Sequence, residues 1–149
     1  MLLQVENIHT YYGLSQVLFD VSLEIDKGEV VVLLGRNGAG KTTTMISIMG
    51  LNPPKKGRVT FKGQEITGLA PFKAARMGLG FVPEDRRIFP DLTVEANLDV
   101  GRMNVQNKSN PWTLERVYQI FPVLGKCAKR RGGTLSGGEQ QMLTIARTL

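Results

Sequence analysis

The sequence of 149 residues predicts an α/β fold with an N-terminal antiparallel β layer and a helical region toward the C-terminus. Three observations predict it. Two opening segments alternate apolar and polar residues, as half-buried strands do. A short β-branched run at residues 29–34 leads through a glycine-rich stretch into an apolar segment, the order strand, loop, helix. From Leu92 onward the apolar residues recur at helical spacing, with no good strand pattern.

Taken in order, residues 2–8 and 17–25 are the two alternating strands, and Lys27 and Gly28 turn the chain after the second. Residues 29–34, EVVVLL, have the composition of a strand buried on both faces. GRNGAGKTT follows, then MISIMG, with Gly50 placed to stop the helix. Residues 52–57, NPPKKG, are a turn region. Residues 58–62 form a strand that turns at Lys62 and Gly63. Residues 71–77 read as helix, and 79–82 as a further buried strand closed by Pro83. Leu92, Ala96, Leu98 and Met103 then mark one helix, and Leu114, Val117, Ile120 and Phe121 another. The polar stretch 104–111 between them reads as a mobile loop. In the last segment, LSGGEQQMLTIARTL, Ser136 and Glu139 have capping-box spacing. The helix they start is expected to bury Met142, Leu143, Ile145 and Ala146. The chain stops inside that pattern, so the fold is expected to be C-terminally incomplete.

Composition narrows the function classes. With 42% hydrophobic and 21% charged residues the chain is ordinary for a globular domain, and it is long enough to bury a core without disulfide or metal staples. The single cysteine, Cys127, forms no internal bridge, which fits a reducing compartment. No apolar run approaches the roughly 20 residues of a membrane-spanning helix. The first residues lack a cationic leader and meet Glu6 at once. Any membrane role is therefore expected to be peripheral. The net charge of +6 is scattered. Its densest stretch is KCAKRR at 126–131, with pairs at 55–56 and 86–87, and it reads as solvated surface charge.

One motif carries phosphate chemistry. GRNGAGKT matches G-x-x-x-x-G-K-[ST] at Gly35, Gly40, Lys41 and Thr42. Glycines let the backbone curl, so the amides of Gly35, Asn37, Gly38, Ala39 and Gly40 can gather around an anion. The helix that begins near Gly40 adds its positive end. Lys41 supplies a cation toward the β and γ phosphates of a nucleotide, a catalytic role. The Thr42 hydroxyl is placed to ligate Mg2+, and Thr43 to donate on the α-phosphate side. Alone, this pattern points to a nucleotide phosphate with Mg2+ and leaves kinases, GTPases, helicases and transport ATPases open; ATP is what the second motif adds.

A second motif, LSGGEQQ, begins 95 residues after Gly40. The two together resemble the ABC ATPase family, and the resemblance covers essentially the whole chain. It implies an ABC-type P-loop NTPase core at 1–85, a helical subdomain at 86–135, and a signature helix at 136–149 that returns to the core. In the family, Ser136, Gly137 and Gly138 would bind the γ phosphate of ATP held by a partner, so two ATPase subunits pack head to tail as a homo- or heterodimer. Tyr12 stands where the family places an aromatic that stacks on adenine; Tyr11 would point the other way. Glu84 stands in place of the usual glutamine that meets Mg2+ and the attacking water, which makes it a catalytic and metal candidate with an added negative charge.

The stretch VPEDRRIFPDLTVEANL, with YYG, LLGRNGAGKTT, ITGL and FPVL, resembles the ATP-binding subunits of branched-chain amino-acid importers. Urea and short-chain amide importers have closely related subunits. The resemblance implies transmembrane permease partners, no nucleic acid, and a cytoplasmic location on the inner face of the plasma membrane. Two other readings are a soluble ABC-type ATPase acting on nucleic acid or ribosomes, and a non-catalytic nucleotide-binding remnant. The family continues with an Asp–Glu strand and a later histidine. His9, the only histidine, cannot take that part. An ATPase by family, this stretch alone is expected to bind ATP without hydrolysing it, and to be poorly stable.

Overall fold

The alternating N-terminal segments become an antiparallel sheet. The computed structural model describes residues 1–102 and 112–149, which divide into two compact units, Met1–Leu79 and Gly80–Leu149. Met103 and the expected loop at 104–111 lie outside the described residues.

In the first unit, β1 (Leu3–Tyr12) pairs with β2 (Ser15–Ile25) on one side and β3 (Lys56–Phe61) on the other. A short β4 (Gln64–Glu65) completes the order β2-β1-β3-β4. Leu3, Val5, Ile8, Leu18, Val59 and Phe61 form the core with Ile48 and Ile66. The alternation slips once in β1. Asn7, at φ 47°, is an extra residue between Val5 and Ile8, and the register shifts there against both neighbours. The bulge returns Ile8 and Thr10 to the buried face, where both are fully covered. Asp20, at φ 56°, lies in the next shift of β2, and Asn7 Nδ2 donates to its carboxylate at 2.6 Å. Lys62 and Gly63, both at positive φ, make the two-residue hairpin turn that the sequence predicts.

Helix α1 (Lys41–Ile48) packs on this sheet. Ser47 Oγ donates to the Thr43 carbonyl at 2.7 Å, so Thr10 Oγ1 supplies the proton for the 2.8 Å bond between the two hydroxyls. The helix stops as expected. Leu51 N–H donates to the Ile46 carbonyl and Gly50 N–H to that of Ser47, each at 3.1 Å. Gly50 has φ 74°, and a Cβ there would come 2.4 Å from the Leu69 carbonyl oxygen. Helix α2 (Pro71–Arg76) follows, with proline in its first turn.

The second unit is helical. It contains α3 (Val94–Gly101), α4 (Leu114–Ile120), α5 (Pro122–Lys126), a 3-10 turn at Gly132–Thr134, and α6 (Gly137–Ala146). Val94, Leu98, Val117, Leu124, Cys127, Leu135, Leu143 and Ala146 fill its core. Asn97 is fully buried and pins the preceding loop: its amide bonds to Phe89 N–H and to the carbonyls of Phe89, Leu92 and Thr93.

Two expected strands do not form. Residues 29–34 and 79–82 have no ladder partner among the described residues. Val30 and Leu34 are each 88% exposed, the reverse of a strand covered on both faces. Their composition suits a buried strand, but a strand exists only through hydrogen bonds to a neighbour, and β2-β1-β3-β4 supplies none. Two helix faces are also narrower than expected. Ile145 is exposed, because it lies two residues from buried Leu143 and thus about 200° around α6. Ile120 is exposed at the last residue of α4, where the backbone leaves the helix at Phe121.

Candidate functional site

Residues 35–40 turn the chain into α1. Gly40 is the N-cap, left-handed at φ 91° and ψ 3°, and no side chain caps the helix. A Cβ at Gly40 would come 2.8 Å from Leu18 Cδ2, so the loop is seated against β2, and the φ of 91° favours glycine there. The Thr44 N–H and hydroxyl both donate to the Gly40 carbonyl, at 2.8 and 2.9 Å. Gly35, Asn37, Gly38 and Ala39 are exposed. Lys41 Nζ donates to the carbonyls of Gly35 at 2.8 Å and Arg36 at 2.9 Å, which holds the ammonium over the loop. Thr43 is buried beneath the first turn, and Thr42 is exposed. The hydroxyls of Thr44 and Ser47 bond to backbone carbonyls; that of Thr42 makes no hydrogen bond among the described residues.

The loop fits a nucleoside triphosphate: exposed loop residues, an uncapped helix start and one cation at its mouth, although the Ala39 N–H is given to the Arg36 carbonyl at 3.1 Å. It also fits magnesium. The Thr42 hydroxyl is a hard oxygen ligand, and an ion held largely by phosphate oxygens needs few protein ligands. Among the described residues no group of three or more His, Cys, Asp or Glu side chains gathers as a metal cage.

The two tyrosines separate as the sequence suggests. Tyr11 is engaged, with its hydroxyl donating to Gln16 at 2.8 Å and the Lys55 ammonium 5.3 Å from its ring. Tyr12 is half exposed. It shares the parity of Ile8 and Thr10, hence the face of β1 that meets α1. Thr10 pairs with Leu18, the side chain under Gly40, and Tyr12 lies about 7 Å further along the strand.

In the second unit Ser136 caps α6. Its Oγ accepts from Glu139 N–H at 3.3 Å, and the Glu139 carboxylate accepts from Ser136 N–H at 2.7 Å, the capping box read from the spacing. The bond from the Ser136 backbone, then that from its hydroxyl, hold the Glu139 pKa below the usual carboxylate value. Gly137 and Gly138 are exposed. A Cβ at Gly138 would meet nothing within 4 Å, whereas Gly137 lies against the Arg86 guanidinium. Glu84 sits exposed in a turn and lines a cleft of about 450 Å³ with Asp85, Arg86, Arg87 and Gln140. The structure thus gathers the loop residues with Tyr12 in one unit, and the signature residues with Glu84 in the other. Thr144 and Arg147, which bond to the carbonyls of Arg86 and Arg87, carry no signal in a linear reading. Thr144 is hidden in an apolar stripe, and the left-handed backbone of the two arginines leaves no trace in composition.

A family model described as ABC transporter matches residues 18–149. The chain belongs to the ABC transporter family. As an ABC transporter chain it is 41% identical over 148 residues to the high-affinity branched-chain amino acid transport ATP-binding protein BraG of Pseudomonas aeruginosa, covering 99% of this chain and 64% of the relative. It is 36% identical to the probable branched-chain amino acid transport ATP-binding protein LivF of Archaeoglobus fulgidus, covering 99% and 63%. A solved ATP-binding subunit of an ABC transporter superposes with a TM-score of 0.84 at 29% identity, covering 99% of this chain and 61% of that one. The ABC transporter chain therefore spans less than two thirds of the length of these relatives. Among its described residues no helix is long and apolar enough to cross a membrane.

Proposed function

We propose that this ABC transporter chain is the ATP-binding part of the energy-coupling subunit of an importer for branched-chain or related amino acids. The observation that carries the proposal is the loop at Gly40, left-handed and uncapped, with the Lys41 ammonium held over it. Gly35, Asn37, Gly38 and Gly40 would present their amides to the phosphates, Ala39 would do so on releasing its N–H from the Arg36 carbonyl, and Lys41 would sit on the β and γ groups. Thr42 would supply a magnesium ligand, Thr43 would serve the α-phosphate side, and Tyr12 would stack on adenine, a contact worth about 1–3 kcal/mol. Bound magnesium would offset phosphate charge. Glu84 would meet that ion and the attacking water.

Ser136, Gly137 and Gly138 would take the γ phosphate of ATP held by a second ABC ATPase subunit, in a head-to-tail homo- or heterodimer. Three features support this role: the helix start, the capping box and the open surface at Gly138. Transmembrane permease subunits would be the other partners, placing the protein on the cytoplasmic face of the plasma membrane. The amino-acid substrate class rests on the names of the two relatives above.

Titration with a fluorescent ATP analogue tests the reading. The chain should bind it with a magnesium requirement, and Lys41→Ala should weaken binding by about tenfold or more, the scale of losing one charge-assisted contact. Equal binding by both proteins would overturn it.

A further inference from the structure

We infer that Thr144 and Arg147 are positioning residues that latch the loop bearing Glu84 to the helix bearing Ser136–Gly138. The inference rests on the reading of Glu84 as a contact to Mg–ATP.

Arg86 and Arg87 are consecutive non-glycine residues in the left-handed region, at φ 63° and 45°. Such a pair persists only where the surroundings hold it. Here the left-handed turn aims two carbonyls at α6. The Arg86 carbonyl accepts from Thr144 Oγ1 at 2.8 Å, and that of Arg87 accepts from Arg147 Nη2 at 2.6 Å. Thr144 is 1% exposed, and its hydroxyl also lies 2.8 Å from the Gln140 carbonyl, so one proton serves two acceptors. The Arg147 guanidinium lies 5.1 Å from the Phe89 ring, and its Nη1 is buried with no hydrogen-bond partner among the described residues. One terminal nitrogen of a half-buried guanidinium is thus covered and unbonded while the other holds Arg87.

Glu84 is two residues from this latch. Arg86 N–H donates to the Pro83 carbonyl at 3.2 Å, closing a turn around Glu84. One end of that turn is therefore bolted to α6. Any displacement of α6 produced by what Ser136, Gly137 and Gly138 meet is passed to Glu84 through the backbone of Arg86 and Arg87.

The experiment uses the 149-residue chain with Thr144→Val, Arg147→Lys, Arg147→Met and Glu84→Ala. Amide hydrogen exchange is followed at residues 83–90, and binding of a fluorescent ATP analogue is measured with and without Mg2+. Thr144→Val and Arg147→Met should speed exchange at Arg86 and Arg87 by about tenfold or more, with α3 amides unchanged. Arg147→Lys, which keeps a donor, should stay near wild type. Thr144→Val and Glu84→Ala should each reduce the magnesium enhancement of binding by about three- to tenfold. Unchanged exchange in both Thr144→Val and Arg147→Met would overturn the latch. Loss of the magnesium enhancement in Glu84→Ala but not in Thr144→Val would overturn the positioning role. An enhancement untouched by Glu84→Ala would remove the Glu84 reading and, with it, the positioning role, while faster exchange in the latch variants would still establish the physical link.

Discussion

Single atoms decide much of this molecule. At Gly40 an added methyl group meets both a left-handed backbone and Leu18, so Gly40→Ala should destabilise the chain by about 1–3 kcal/mol in denaturant unfolding. Gly138→Ala adds the same methyl group where nothing lies within 4 Å. Its stability should stay within about 0.5 kcal/mol of wild type, although the methyl group stands on the proposed phosphate surface. Glu139 predicts a pH effect. Its folded pKa is lowered, so its capping bonds contribute fully above the ordinary carboxylate pKa and are lost as pH falls through the lower folded value. The thermal midpoint of wild type should therefore drop more steeply below about pH 4.5 than that of Glu139→Gln. Matching slopes would count against the capping role.

Between residues and elements lies the question of what the sequence makes legible. Local signals read correctly. The glycine stop at Gly50, the Lys62–Gly63 turn, the Ser136 capping box and the helix start after Gly40 all depend on residues a few positions apart. The two bulged strands were longer than their alternation, because Asn7 and Asp20 each shift the pattern while the ladder continues. Residues 29–34 and 79–82 misled for the opposite reason: their composition suits a strand, but pairing is a property of the neighbour. The site followed the same division. The turn into α1 at Gly40 and the capped start of α6 at Ser136 lie in contiguous motifs, so their local structure is legible. The bonds from Thr144 and Arg147 to the Glu84 loop join residues 58 and 60 apart and were not. Exposure of Val30, Val32 and Leu34 has a consequence at this scale. An unpaired apolar segment favours association. Val32→Lys should shift the chain toward monomer in sedimentation velocity while leaving its β-sheet circular dichroism unchanged. Undiminished association would locate the sticky surface elsewhere.

At the scale of the molecule, each unit has a core of its own and carries one helix start proposed to take phosphate. The start at Gly40 is glycine-capped and pairs with a lysine; the start at Ser136 is closed by a reciprocal serine–glutamate box. The first would bring a cation to its anion. The second brings neutral donors, which suits a shared phosphate whose charge is already met by another chain. Loss of Lys41 should accordingly weaken nucleotide binding by the isolated chain, by about the tenfold of one charge-assisted contact. Ser136→Ala should leave that binding intact and weaken only nucleotide-dependent dimerisation, measured by sedimentation.

The paired bulges of β1 and β2 set the phase of everything after them. Asn7 works as a one-residue frame shift written into the strand. Removing it would carry Ile8 and Thr10 to the outer face, break the hydroxyl pair that seats α1, and turn the ring of Tyr12 away from the phosphate loop. A side chain that touches no proposed ligand thus governs which aromatic face a nucleotide would find.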